Sequence, residues 1–268
     1  MTLQELIGSG SLGRAAGAPG IGDTTIASVV HRADDATPGS LFCAVRGARA
    51  DGHDHAAQAV ARGAVALLVE RELDLPVPQI VTDDVRLSMA LAAAAVAGDP
   101  SAALSVVGVT GTNGKTTSAF LIRAVLEAAG RPCGLIGTIE ARVGGRLEPV
   151  THTTPDAVQL QALFARMRFA GDVACAMEVS SHALTQRRVA GTHFAAALFT
   201  NLTRDHLDYH ADLESYFAAK RGLFARPPGE GDDPPGAANL DDEFGRRLAA
   251  ETGALGYAIT APAEGPPS

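Results

Sequence analysis

The residues of this chain best placed to do chemistry lie at positions 105–117, SVVGVTGTNGKTT, where Lys115, Thr116 and Thr117 close a glycine-rich turn. A strand that breaks into such a turn and restarts as a helix makes an anion site. Its glycines let backbone N–H groups approach a phosphate, and the first turn of the helix points more of them at it. Gly111, Thr112, Asn113, Gly114 and Thr117 would wrap the phosphates of a nucleotide, with Lys115 on the terminal ones and Thr116 on a Mg²⁺. The strict nucleotide-loop pattern has glycine where Val109 stands; Gly108 and Gly111 flank that place. A plain turn would explain the glycines but not Lys-Thr-Thr at the start of a helix.

Three further polar clusters follow apolar runs: HTTPD (152–156), EVSSH (178–182) and TNLTRDHLDYH (200–210). Glu178 can hold Mg²⁺ directly or through water, or can be a strand-end glutamate in solvent; Ser180, Ser181 and His182 directly after it favour a site. Asp205, His206, Asp208 and His210 can bind a metal, hold a ribose or cap the next helix, and spacing does not choose among these. Lys220, in SYFAAKRGLF, reads from composition alone as a solvated helix lysine. His53, His55 and His193 lack partners at metal-binding spacing and read as surface or capping residues. Arg32 and Arg49 are available as anion contacts, or are ordinary surface arginines.

Two α/β domains are needed to position these groups. From Leu104 on, strands expected at 105–109, 133–138, 173–179, 194–200, 236–240 and 254–259 alternate with helices expected at 116–129, 157–169, 213–224 and 242–252. That alternation predicts a mostly parallel sheet with helices on both faces, and the polar clusters fall at the carboxyl ends of its strands, where ligands collect. Residues 1–98 read as a separate α/β domain, with strands at 25–30, 40–45, 64–70 and 78–81 and helices at 56–63 and 85–98. Asp99-Pro100 breaks the last helix, so 99–268 is taken as the second domain.

A net charge of −8 without any basic run argues against nucleic acid or an anionic membrane as partner. No apolar stretch approaches the ~20 residues of a membrane span. The start, MTLQELIGSGSLGR, lacks the features of a secretion signal, so a cytoplasmic protein is expected. Cys43, Cys133 and Cys175 each lie in an apolar run and read as reduced core thiols.

Taken in order, GVTGTNGKTT, HTTPD, EVSSHAL, FTNLTRDHLDYH and YFAAKRGLF resemble the Mur ligases, ATP-dependent amide-bond ligases of peptidoglycan precursor synthesis. EVSSHAL with QRR close behind, and HRADDATPGSLFCAVRGARADGH, resemble the MurE type, which adds the third stem-peptide residue. The MurF type, which shares the loop but less of the later motifs, and a non-catalytic nucleotide-binding module remain as alternatives.

The resemblance implies that ATP phosphorylates the D-Glu γ-carboxylate of UDP-N-acetylmuramoyl-L-alanyl-D-glutamate. The amine of meso-diaminopimelate or L-lysine then attacks the acyl phosphate. By the same carry-over Lys115 stabilises the transferring phosphoryl group, Thr116 and Glu178 hold Mg²⁺, and Lys220, as a carbamate, holds a second Mg²⁺ with Glu178 and His206. Lys220 thereby changes from a solvated to a catalytic lysine. Thr153, Thr154, Ser180, Gln186 and Arg188 are implied to contact the muramoyl peptide, and Val29, His31 and the turn Ala48, Arg49, Ala50 its uridine diphosphate. Here the chain departs from the family, with Val30-His31-Arg32 for Asp-Ser-Arg and Ala48-Arg49 for His-Gln. Asn239, Asp241 and Asp242 resemble the segment near the adenine. Because relatives continue into a C-terminal domain, the chain is expected to be a monomeric N-terminal and central fragment that does not complete ligation.

Overall fold

The computed structural model describes residues 1–8, 12–17, 22–47, 50–150 and 152–259. It has two units: Met1–Pro100 joined by Asp156–Ala165 and Gln186–Thr192, and the remainder.

In the first unit the elements are α1 (Leu3–Gly8), β1 (Arg14–Gly17), β2 (Ser28–Val30), β3 (Ser40–Cys43), α2 (Ala56–Ala61), β4 (Ala64–Val69), β5 (Pro78–Val81) and α3 (Val85–Val96). The sheet order is β1-β5-β4-β3-β2, parallel except for β1. Strands apolar on both faces bury both. Leu41, Cys43, Ala66, Leu68 and Ile80 pack with Leu3, Leu6, Met89 and Ala90, whereas Phe42, Leu67 and Val69 pack with Ala56 and Ala59 on the other side. Ala157 and Ala190, from the two returning segments, complete the first of these cores. β1 was not expected from the sequence: RAAG has no β-branched residue and is a strand only through pairing with β5.

His53 corrects a sequence expectation. It is buried rather than at the surface, with Nδ1 2.6 Å from Asp51 Oδ1 and Nε2 accepting the Glu70 N–H at 3.0 Å. With Nε2 accepting, Nδ1 is left to donate to Asp51, and the ring braces the turn that carries Ala50.

The second unit runs β6 (Ser105–Thr110), α4 (Lys115–Ala128), β7 (Cys133–Ile136), β8 (Ala141–Val143), β9 (Arg146–Glu148), α5 (Ala157–Phe169), whose first residues belong to the first unit, β10 (Ala174–Glu178), α6 (Ser181–Thr185), β11 (Phe194–Phe199), α7 (Leu213–Arg221), β12 (Gly236–Asn239), α8 (Glu243–Thr252) and β13 (Leu255–Tyr257). The sheet order is β13-β12-β11-β6-β10-β7-β8-β9, parallel from β13 to β7 and antiparallel in the β8–β9 hairpin.

Helices cover both faces of this sheet. Val109, Cys133, Leu135, Ala174 and Ala176 pack with Ala119 of α4. On the other face Gly108 lies against Phe194 and Leu223, and Gly134 against Met167 of α5, where an added Cβ would come within 2.8 Å and 2.5 Å of those neighbours. Small residues let the helices approach the strands. α7 starts with a capping box between Asp212 and Ser215, and α8 is capped by Asp242, whose side chain accepts the Gly245 N–H, and stops at Gly253, φ 71°. All three cysteines are buried thiols. Among the described residues no helix is long and apolar enough to cross a membrane.

Candidate active site

Strand register builds the site before any side chain is considered. β6 lies between β11 and β10, with Glu178 opposite Val109 and Phe199 opposite Thr110. The chain therefore leaves β6 into the loop 111–114 with the ends of two other strands beside it. Gly111 (φ 149°) and Gly114 (φ 82°) take backbone conformations that side chains disfavour, and Gly114 leads directly into α4.

Thr200 and Asn201, at the end of β11, hold this loop. Asn201 accepts the Thr112 N–H on its carbonyl at 2.8 Å and the Asn113 N–H on its side chain at 2.9 Å, and the Thr200 hydroxyl donates to Asn113 O at 2.7 Å. Sequence reasoning gave neither residue a role. Their position, two polar residues directly after a buried strand, was the available signal. Asn239, expected near an adenine, donates to Thr200 O at 2.9 Å, and Asp242 accepts the Leu202 N–H at 3.1 Å, so both also support this loop.

Glu178 is buried, 1 % exposed, which removes the reading of a solvated strand-end glutamate. It accepts from the Thr116 hydroxyl at 2.9 Å, the Thr138 N–H at 2.8 Å and the Thr138 hydroxyl at 3.2 Å. Thr138, just past β7, was missed by sequence reasoning, which ended a strand there. Gly137 is what lets the carboxylate in, since a Cβ there would lie 2.5 Å from Glu178 Oε1. Two of the predicted substrate contacts gather on this cluster: the Thr153 hydroxyl is 3.0 Å from that of Thr138, and the Thr154 hydroxyl donates to Glu178 O at 2.9 Å. Ser180 gives its N–H to Thr154 and caps α6 by accepting the Ala183 N–H.

Two lysines converge on one carbonyl. Lys115 Nζ donates to Gly111 O at 2.9 Å and Lys220 Nζ to the same oxygen at 2.8 Å. Burial lowers the pKa of Lys115, against the pull of Glu178 and Asp205. Lys220 is 1 % exposed, so the solvated reading fails here too. Burial, with the Lys115 charge nearby, lowers its pKa to about 7 against the opposing Asp205. Its ammonium also sits 4.4 Å from the centre of the Tyr216 ring.

The third polar cluster packs ring on ring. His206 has φ 52° and its Nε2 lies 3.6 Å from Asp205 Oδ2. Its ring centre is 5.0 Å from that of His182 and 6.0 Å from that of Tyr216. His210 is buried with Nε2 2.9 Å from the Ser181 hydroxyl; burial first, then His182, Lys220 and His206, lower its pKa. Glu178, Lys220 and His206 thus keep separate hydrogen-bond partners.

In the first unit, His31 Nε2 lies 3.4 Å from Asp156 Oδ2. Burial raises the Asp156 pKa, but hydrogen bonds from His31 and the Gln159 N–H outweigh it and hold the carboxyl below its ordinary value. Val29 is in the core, leaving only its backbone for a ligand, and Ala50 is exposed with its carbonyl accepting the Gly47 N–H. Gln186 Oε1 accepts from Arg188 Nε at 3.1 Å and Nη2 at 2.8 Å. Ala48 and Arg49 lie outside the described residues.

The family described as Mur ligase middle domain matches residues 109–264, and the Mur ligase family catalytic domain matches residues 25–108. A UDP-N-acetylmuramoyl-L-alanyl-D-glutamate–2,6-diaminopimelate ligase of Solibacter usitatus is 45% identical over 98% of this chain and 54% of its own length. The protein of the same name from Pseudomonas aeruginosa is 47% identical over 80% of this chain and 44% of its own length. A solved structure of a ligase with that name superposes with a TM-score of 0.83 at 28% identity, over 97% of this chain and 53% of that one. The chain spans about half the length of the curated relatives it matches.

Proposed function

The chain belongs to the Mur ligase family, and from that premise we propose that it serves an ATP-dependent, ADP-forming ligase adding a diamino acid, meso-diaminopimelate or L-lysine, to UDP-N-acetylmuramoyl-L-alanyl-D-glutamate. The observation that carries this reading is the assembly at the end of β6: a glycine loop, two lysines on Gly111 O, and a buried carboxylate bonded to the first threonine of the helix. A binding module would not need that carboxylate or the second lysine. We infer a cytoplasmic location, the one expected of a ligase acting on a soluble nucleotide-linked precursor.

Each residue then has a task. Backbone N–H groups of the first turn of α4, and those of the loop that Asn201 does not hold, would receive the ATP phosphates. The Lys115 ammonium, now held on two carbonyls, would turn onto the phosphoryl group as it transfers to the D-Glu γ-carboxylate, forming an acyl phosphate that the incoming amine attacks. Thr116 and Glu178 are hard oxygen donors in contact, a set that fits Mg²⁺. Bound there, the ion would offset charge on the phosphates. Thr153, Thr154, Ser180, Gln186 and Arg188 would hold the muramoyl peptide, and His31, fixed by Asp156, the diphosphate side.

Lys220 is proposed to react through its neutral amine with CO₂, losing a proton to give a carbamate that would act with His206 toward a second Mg²⁺. Addition of ¹³C-bicarbonate to the chain should give a carbamate carbon resonance that Lys220→Met lacks; the same resonance in both proteins would rule the assignment out.

Two binding measurements test the reading. In calorimetric titration the dipeptide nucleotide should bind at least about tenfold tighter than UDP and tighter than the tripeptide form, a difference of about 1.4 kcal/mol. Preference for the tripeptide would move the chain to the MurF type, and equal binding would leave a nucleotide-binding module. Glu178→Gln should weaken ADP binding in magnesium by about 10- to 100-fold and leave the metal-free affinity unchanged. An equal loss with and without magnesium would show Glu178 to be only a support for the loop.

A further inference from the structure

Arg187 is one of three non-glycine residues with positive φ among the described residues, at 58°. It lies two residues past the end of α6, where a helix commonly stops on a left-handed residue and glycine is the usual occupant. Here an arginine takes the strained conformation. Its carbonyl accepts the Ala190 N–H at 3.1 Å, starting the turn that follows, and its Nε lies 3.3 Å from Asp84 Oδ2. The other oxygen of Asp84 caps α3 on the Leu87 N–H at 2.9 Å, so the carboxylate is anchored to a twelve-residue helix.

The residues on either side of Arg187 converge. Gln186 Oε1 accepts two N–H groups of Arg188, at 3.1 Å and 2.8 Å. With that amide oxygen engaged, the Gln186 side chain presents only the N–H donors of its amide nitrogen. Such donors suit a carboxylate or carbonyl oxygen of a ligand.

We propose that Arg187 is a positioning residue for substrate: left-handed at the end of α6 and ion-paired to the cap of α3, it holds Gln186 and Arg188 in the paired geometry that receives an oxygen of the muramoyl peptide. The inference rests on the reading of Gln186 and Arg188 as substrate contacts. A residue serving only to end the helix would be replaced by glycine with no loss, because glycine fits this φ better.

Calorimetric titration of the full chain with UDP-N-acetylmuramoyl-L-alanyl-D-glutamate and with UDP decides between these roles. Arg187→Gly should keep or raise the thermal midpoint and leave UDP affinity unchanged, yet weaken the dipeptide nucleotide about five- to tenfold. Asp84→Asn, which preserves the cap oxygen, should weaken it in the same direction, and Arg187→Lys should recover most of the affinity. An unchanged dipeptide affinity in Arg187→Gly or Asp84→Asn overturns the inference while the functional reading stands. Equal binding of both nucleotides by the unsubstituted chain overturns the functional reading and this inference with it.

Discussion

Gly111→Ala should destabilise the second unit by roughly 2–6 kcal/mol and remove nucleotide binding, because two independent penalties fall on one methyl group. Gly111 sits at φ 149°, a region closed to other residues at about 1–3 kcal/mol. Its Cβ would lie 1.8 Å from Thr200 Oγ1, an overlap that forces the threonine away at about 1–3 kcal/mol more. Moving Thr200 releases Asn113 O, which its hydroxyl holds at 2.7 Å, so the loop opens at the peptide that would face the phosphates. Gly114→Ala is the control: φ is 82°, but the nearest atoms lie at 3.9 Å, leaving only the strain of a left-handed residue, about 1 kcal/mol. Urea unfolding and MgADP titration of both variants separate the contributions. Equal stability of the two variants, or MgADP affinity in Gly111→Ala within threefold of the parent, would refute the steric account.

Much of this loop could be read before the fold was known. A buried run, glycines and Lys-Thr-Thr specify a strand, a turn and a helix start, and the helix does begin at Lys115. Longer periodic segments were equally legible, as α5 shows by spanning 157–169 as expected. What holds the loop was not legible. Thr200 and Asn201 meet Asn113 across 87 and 88 residues, and Thr138 meets Glu178 across 40; no local periodicity encodes such pairings. The β8–β9 hairpin is not among the expected strands, although Gly144-Gly145, at φ 55° and 76°, is the pair a two-residue hairpin turn favours. Composition points to solvent at Lys220 and His53, and both are buried, because the tertiary packing that covers them leaves no mark in the local sequence.

That burial of Lys220 yields the other large effect. Its pKa is about 7 in the folded chain against an ordinary 10.5. Above 10.5 the amine is neutral in both states and burial carries no electrostatic penalty. As pH falls toward 7, the unfolded chain takes up a proton that the folded site resists. Stability falls by about 1.4 kcal/mol per pH unit, and below about 7 the full penalty, on the order of 5 kcal/mol, is in place. Lys220→Met removes it, and loses in exchange the hydrogen bond to Gly111 O and the contact with Tyr216, about 1–2 kcal/mol together. The variant should therefore be more stable than the parent at pH 7 by about 2–3 kcal/mol in CO₂-free buffer, and the difference should fall steadily with pH, vanishing between about pH 9 and 10. Urea midpoints at three pH values check this. A methionine variant no more stable at pH 7, or a difference that does not change with pH, would mean that the amine stays protonated where it is. The same arithmetic bears on the carbamate. With about half of the amine neutral at pH 7, CO₂ has a nucleophile to meet, and the product replaces a cation beside Lys115 with an anion. Repulsion between the two side chains becomes attraction, so added bicarbonate should stabilise the parent chain and leave Lys220→Met unchanged. A buried lysine that weakens the fold in its free form and strengthens it once modified is what a residue kept for chemistry, and not for packing, would show.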